Sequence, residues 1–187
     1  MDSIQAEHMN KTELAQTKED PMSDTEIKFY LPHCRILTYR EMSHFPSLQA
    51  LLPKPRDFVV LLYESSPNVG HWVCVMKYDG KYEYFDPYGG KPDAPLKWID
   101  EATRQQLGAG TPVLSHMLAK VGGVYNSTPY QKLTSKNNSC GRHVIHRILA
   151  MLDGYDKDEY ETLMNHLRKE LNTDYDGVVT MRIPYCE

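Results

Sequence analysis

Trp72-Val-Cys-Val-Met-Lys-Tyr78, then Asp79-Gly80, then Lys81-Tyr-Glu-Tyr-Phe85 is the stretch that decides how this chain folds. Two runs rich in β-branched and aromatic residues flank a dipeptide that readily adopts two positive φ angles. The segment therefore reads as a β-hairpin closed by a two-residue turn. That turn sets the register: Val73 faces Asp86 and Trp72 faces Pro87, which brings His71 and Asp86 to the same open end of the hairpin. Diagonal neighbours on one face of a strand pair can touch, so an imidazole–carboxylate hydrogen bond is within reach there.

Working outward, Phe58-Val-Val-Leu-Leu-Tyr63 is a continuous apolar run of strand length, expected to be buried on both faces. Ser65–Gly70 reads as the loop into the hairpin, and Asp86-Pro-Tyr-Gly-Gly90 as a turn out of it. Ser43–Leu52 has apolar residues at helical spacing, and Pro95–Leu107 reads as a helix with proline in its first turn. Gly141–Leu152 carries Val144, Ile145, Ile148, Leu149 and Leu152 as one helical stripe, stopped by Gly154. Asp156–Leu171 repeats the pattern, with its acids early and Arg168 and Lys169 late, as the helix dipole prefers. Val178–Ile183 reads as a final β-like run. Leu31–Leu37 is too short to assign, and Thr111–Tyr130 is ambiguous. Helices mixed with adjacent hairpin strands predict an α+β fold.

The chain of 187 residues carries a formal charge of −4, and that charge is unevenly spread. Residues 1–27 hold seven acids against two lysines, a balance of −5, and the other 160 residues total +1. The first segment is poor in large apolar residues, so it is expected to be a disordered acidic tail, with the folded domain spanning 28–187. The domain has enough chain to bury a core. No apolar run is long enough to cross a membrane, and no secretory leader is read at the N-terminus. A nucleic-acid partner is not expected without a large basic surface. Cys34, Cys74, Cys140 and Cys186 are scattered, without a CxxC pair, which suits a reducing compartment and neither a disulfide framework nor a zinc ribbon.

One cysteine differs from the others. Cys140 follows Asn137-Asn138-Ser139, three residue types that cap helices, and opens the strongest helical stripe in the chain. Unpaired N–H groups and the positive dipole end favour thiolate at such a position. Gly141 leaves room for a substrate backbone. Cys74 reads as a packed strand residue, and nothing recommends Cys34 or Cys186. A nucleophilic cysteine needs a base, and the base needs an orienting group. His71 and Asp86 supply that pair. Cys140, His143 and His146 also form a C-x-x-H-x-x-H pattern, but three positions on one helix do not enclose a metal, and no metal is expected. The two histidines read as a solvated or partly buried helix face.

Val69-Gly-His-Trp72, Tyr84-Phe-Asp-Pro-Tyr-Gly89, Gln131 and Ser139-Cys-Gly141, in this order, resemble the adenovirus-type maturation proteases (adenains) and the related SUMO-specific isopeptidases of clan CE. The resemblance covers roughly Phe58 to Leu152. It implies a permuted papain-like fold with a central mixed sheet flanked by helices. It implies His71 as general base, Asp86 as its orienter, Cys140 as nucleophile and Gln131 as oxyanion-hole donor, a role that Asn137 or Asn138 could also fill. Trp72 would wall a substrate channel, with Gly141 beside it, and cleavage would follow glycine at Gly-Gly or Gly-X-Gly sites. The chain is then expected to be a monomeric cysteine protease without a cofactor, working on a protein substrate inside a host cell or virion. Viral polyprotein or virion maturation is the first reading. A deconjugase for ubiquitin or a SUMO-like modifier, or an inactive modifier-binding module, is the alternative. A picornavirus-type protease would place its cysteine between strands, whereas the segment after Cys140 is strongly helical.

Overall fold

The computed structural model describes residues 5–184. In chain order the elements are α1 (Lys11–Glu19), α2 (Asp24–Tyr30), β1 (Arg35–Thr38), α3 (Leu48–Leu51), β2 (Asp57–Ser66), β3 (Val69–Tyr78), β4 (Lys81–Phe85), α4 (Glu101–Gln106), α5 (Leu114–Lys120), β5 (Val124–Tyr125), α6 (Cys140–Leu152), α7 (Lys157–Glu170) and α8 (Tyr175–Arg182). Two 3-10 turns, Tyr39–His44 and Ala94–Trp98, complete the set. The chain divides into two compact units: Cys34–Ser127 is one, and residues up to His33 together with Thr128 onward form the other. The fold is α+β with a mixed sheet.

The 34–127 unit holds that sheet, in the order β1-β2-β3-β4-β5. The β2–β3 and β3–β4 pairs are antiparallel, and β1 and β5 join at the two edges as parallel strands. The hairpin forms as its sequence dictates: Tyr78 pairs with Lys81 and Cys74 with Phe85, and the turn residues Asp79 and Gly80 have φ of 49° and 72°. One sheet face, with Val59, Leu61, Tyr63, Val73, Val75, Tyr82 and Tyr84, is in the core with Met42, Leu48, Leu51, Leu96, Leu114 and Leu118. The opposite side chains of β2 and β3, Val60, Leu62, Cys74 and Met76, are buried as well, as the continuous apolar run in β2 requires. The expected Ser65–Gly70 loop is shorter than its reading. Strand pairing continues through a bulge at Glu64–Ser66, and Asn68 takes the left-handed conformation (φ 62°) that closes the turn. Pro95–Leu107 is not one helix: Asp100 accepts from Thr103 N and starts α4 afresh after the 3-10 turn.

The other unit is helical. There α1 packs on α8, α2 on α6, and α8 on both α6 and α7. Val178–Ile183 is not a strand. Asp174 accepts from Gly177 N and caps α8, and the β-branched Val178 and Val179 lie on the buried side of a helix. Nor is the 1–27 segment, as far as it is described, a loose tail. Asn10 with Glu13 and Ser23 with Glu26 form capping boxes that start α1 and α2. Met22, Ile27 and Leu31 are buried, Lys18 pairs with Asp174 at 2.8 Å, and Glu7 N donates to Met181 O. A few well-placed apolar residues and caps hold what its average composition alone would leave disordered. Cys186 lies outside the described residues.

Candidate active site

His71 and Asp86 meet at the open end of the hairpin. His71 sits on β3 beyond the last residue that pairs with β4, opposite Tyr63 of β2, and Asp86 is the first residue after β4. The imidazole Nε2 lies 2.8 Å from Asp86 Oδ1, with the histidine side chain 10% exposed and the carboxylate fully buried. Against an ionised carboxylate Nε2 carries the proton, which leaves Nδ1 as the basic nitrogen. Asp86 Oδ1 also accepts from Tyr88 N at 2.8 Å. The Tyr88 ring stacks on the imidazole at 4.6 Å between centroids, and Trp98 stands edge-on to both rings. Trp72, the next residue along β3, is buried opposite Leu62.

Cys140 belongs to the helical unit, where it is the first residue of α6 and is buried together with Gly141. The expected cap is different in kind. Ser139 occupies the N-cap position but makes no capping bond, and its hydroxyl lies 2.7 Å from Asn137 Oδ1 and 2.8 Å from Asp176 Oδ1. Gln131 is buried in the loop before the cysteine, and its Nε2 donates to Asn137 O at 3.1 Å. Asn137 Nδ2 donates back to Lys132 O. Asn138 is tied to the N-terminal segment: its backbone N–H donates to Lys18 O and its Nδ2 to Glu19 O, two carbonyls at the C-terminal end of α1.

Beneath this loop lies a polar centre that the sequence reading missed. Asp176 on α8 accepts from His143 Nε2 (2.9 Å), Ser139 Oγ (2.8 Å) and Lys132 N (3.1 Å). Burial pushes its carboxyl up, but the bonds from His143, Ser139 and Asn137 outweigh burial and hold it below the usual aspartate value. His143 and His146 are fully buried, not a solvated face. His146 Nδ1 pairs with Tyr160 Oη at 3.1 Å, and burial, followed by the charges of Arg182, His143 and Arg147, depresses its pKa well below the ordinary value. Arg142 is also fully buried, donating to Ile183 O and Asp20 O. Burial lowers its pKa, against the opposing pull of Glu26, Asp20, Tyr30 and Cys140, so a negative charge on Cys140 and the guanidinium favour each other. Asp174-Tyr-Asp176, an N-cap aspartate with an acid in the first turn, was the local signal that a helix begins there. Among the described residues no group of three or more His, Cys, Asp or Glu side chains is placed to hold a metal ion, and no helix is long and apolar enough to cross a membrane.

No protein-family model matches the sequence. The chain is 34% identical over 129 residues to the uncharacterized protein V9 of Sputnik virophage, an alignment that covers 67% of this chain and 73% of that protein. In fold it is similar to the crystal structure of the ASFV pS273R protease, with a TM-score of 0.51, 14% identity, and coverage of 91% of this chain and 69% of the other.

Proposed function

The chain belongs to the family of the Sputnik virophage protein V9, and we propose that it is a cysteine protease that hydrolyses peptide or isopeptide bonds after glycine. The observation that carries this reading is the buried imidazole–carboxylate pair of His71 and Asp86, on a fold similar to that of a viral protease. In the proposed mechanism His71 Nδ1 takes the proton of the Cys140 thiol, helped by the Asp86 carboxylate that stabilises the imidazolium. The N-terminus of α6 favours the thiolate. The thiolate attacks the scissile carbonyl, and the oxyanion is held by the Cys140 N–H and the Gln131 amide. The imidazolium then protonates the leaving amine, a thioester remains, and water hydrolyses it with His71 again as base. Trp72 and Gly141 would line the channel that admits the glycine. No cofactor takes part.

A virophage relative and a viral fold neighbour support polyprotein or virion maturation as its work, in a reducing host compartment or virion that keeps Cys140 a thiol. The test is residue-resolved alkylation with iodoacetamide, followed by incubation with Gly-Gly and Gly-X-Gly peptides beside ubiquitin and SUMO conjugates. Cys140 is expected to react faster than Cys34 and Cys74, and Cys140→Ala to abolish peptide cleavage. Equal labelling of the three cysteines, or residual turnover above a few per cent in Cys140→Ala, rejects the proposal. Cleavage only of intact modifier conjugates would make the protein a deconjugase.

A further inference from the structure

The ladder that carries Asp86 stops one residue short of it. The last β4 residue paired with β3 is Phe85, and the last paired with β5 is Tyr84, opposite Tyr125. Asp86 is nevertheless fully buried, so its backbone N–H and C=O both require partners. Asn126, the residue after β5, supplies them from a single side chain. Its Oδ1 accepts from Asp86 N at 3.0 Å and its Nδ2 donates to Asp86 O at 2.7 Å. The carboxamide takes the place of a neighbouring strand, one donor and one acceptor set side by side. Both bonds are buried, with Asn126 only 4% exposed, so neither is exchanged freely for water.

The constraint passes from backbone to carboxylate. With its main chain held by Asn126, and Gly89 N also donating to its carbonyl, Asp86 directs Oδ1 at His71 Nε2 and Tyr88 N. The other oxygen is confined by Gly90, where an added Cβ would lie 2.7 Å from Oδ2. Asn126 lies outside every motif in the sequence that points to the site, and it is 40 residues from the aspartate it holds.

We propose that Asn126 is a positioning residue for the His71–Asp86 pair: by bonding both backbone groups of Asp86 it sets the reach of the carboxylate to the imidazole, and through it the tautomer and basicity of His71. The catalytic consequence rests on the cysteine-protease reading; the effect on His71 does not. Titratable groups that meet the imidazole include Asp86 and Tyr88 on the following turn, and Tyr63 is its cross-strand partner on β2.

The test uses the full chain with 13C-labelled histidine, His71 being assigned from the signal lost in His71→Gln. Asn126→Ala, Asn126→Ser and, as a control at the far end of the hairpin, Asp79→Asn are compared with the parent. A displaced carboxylate stabilises imidazolium less. The His71 titration midpoint is therefore expected to fall by about half a pH unit or more in Asn126→Ala, by less in Asn126→Ser, whose hydroxyl can serve one of the two groups, and not in Asp79→Asn. Cys140 alkylation at neutral pH is expected to slow about tenfold in Asn126→Ala, since misplacement of a reacting group by 1 Å can cost up to about 100-fold. A His71 midpoint unchanged in a folded Asn126→Ala overturns the proposal, and if that variant does not fold, an unchanged midpoint in Asn126→Ser does so. Failure of the protease reading shows separately, as a parent Cys140 no more reactive than Cys74.

Discussion

Asp176→Ala tests whether one buried carboxylate holds together the loop and helix that present Cys140. The parent side chain accepts from Lys132 N, Ser139 Oγ and His143 Nε2, one group each from the Gln131 loop, the residue before the cysteine, and the second turn of α6. Alanine leaves the fully buried His143 Nε2 without its acceptor and breaks the bond from Lys132 N, whereas the Ser139 hydroxyl keeps Asn137 Oδ1. Hydrogen bonds to an ionised acceptor contribute about 1.5–3 kcal/mol each, so the two that find no substitute come to roughly 3–6 kcal/mol. For a chain of this size 1 kcal/mol moves Tm by about 2–4 °C, so a loss of ~4 kcal/mol corresponds to about 8–16 °C. Asp158→Ala, which removes a mostly exposed carboxylate in the first turn of α7, is the control and should change stability by less than about 1 kcal/mol. The contribution of Asp176 has a defined pH dependence. Its folded-state pKa is depressed, so the stabilisation is fully present above the unfolded aspartate value of about 3.9 and is lost as pH falls through the folded value. Thermal unfolding followed by circular dichroism from pH 7 down to pH 3 should therefore show the parent and Asp176→Ala curves converging in acid. A Tm loss at pH 7 no larger than that of Asp158→Ala, or a difference that persists unchanged in acid, refutes the reasoning.

Three further outcomes are expected. Asp86→Asn should slow Cys140 alkylation and peptide cleavage far more than Asp79→Asn, since only the former removes the carboxylate from His71; equal effects, read as pseudo-first-order rates, would count against the pairing. Gly90→Ala must move the Asp86 carboxylate to relieve a 2.7 Å contact, at a cost of about 1–3 kcal/mol, and should slow alkylation as well as lower Tm. Deleting residues 1–20 removes α1 with its bonds from Asn138 and its Lys18–Asp174 pair, and should lower Tm by several degrees; an unchanged melting curve would show the segment to be dispensable.

The sequence by itself determined whatever neighbouring residues decide among themselves. Asp79-Gly80 can make the tight turn, and once it does, strand pairing on a fixed period sets the register that carries His71 and Asp86 to one end of the hairpin. The apolar stripe of α6 and the capped, dipole-matched α7 were readable for the same reason, since their periodicity and end signals lie within each helix. What had no local signal was decided by tertiary structure. Val178 and Val179 favour a strand by propensity, yet they are helical because Asp174 caps α8 and the helix buries them. The N-terminal segment averages as a tail, yet a few buried side chains and bonds to residues more than a hundred positions away hold it in a helical unit. Asn126 reaches Asp86 across 40 residues and Asp176 reaches His143 across 33. A buried polar group must find a partner wherever the fold supplies one, and pattern along the chain cannot show which distant residue that is.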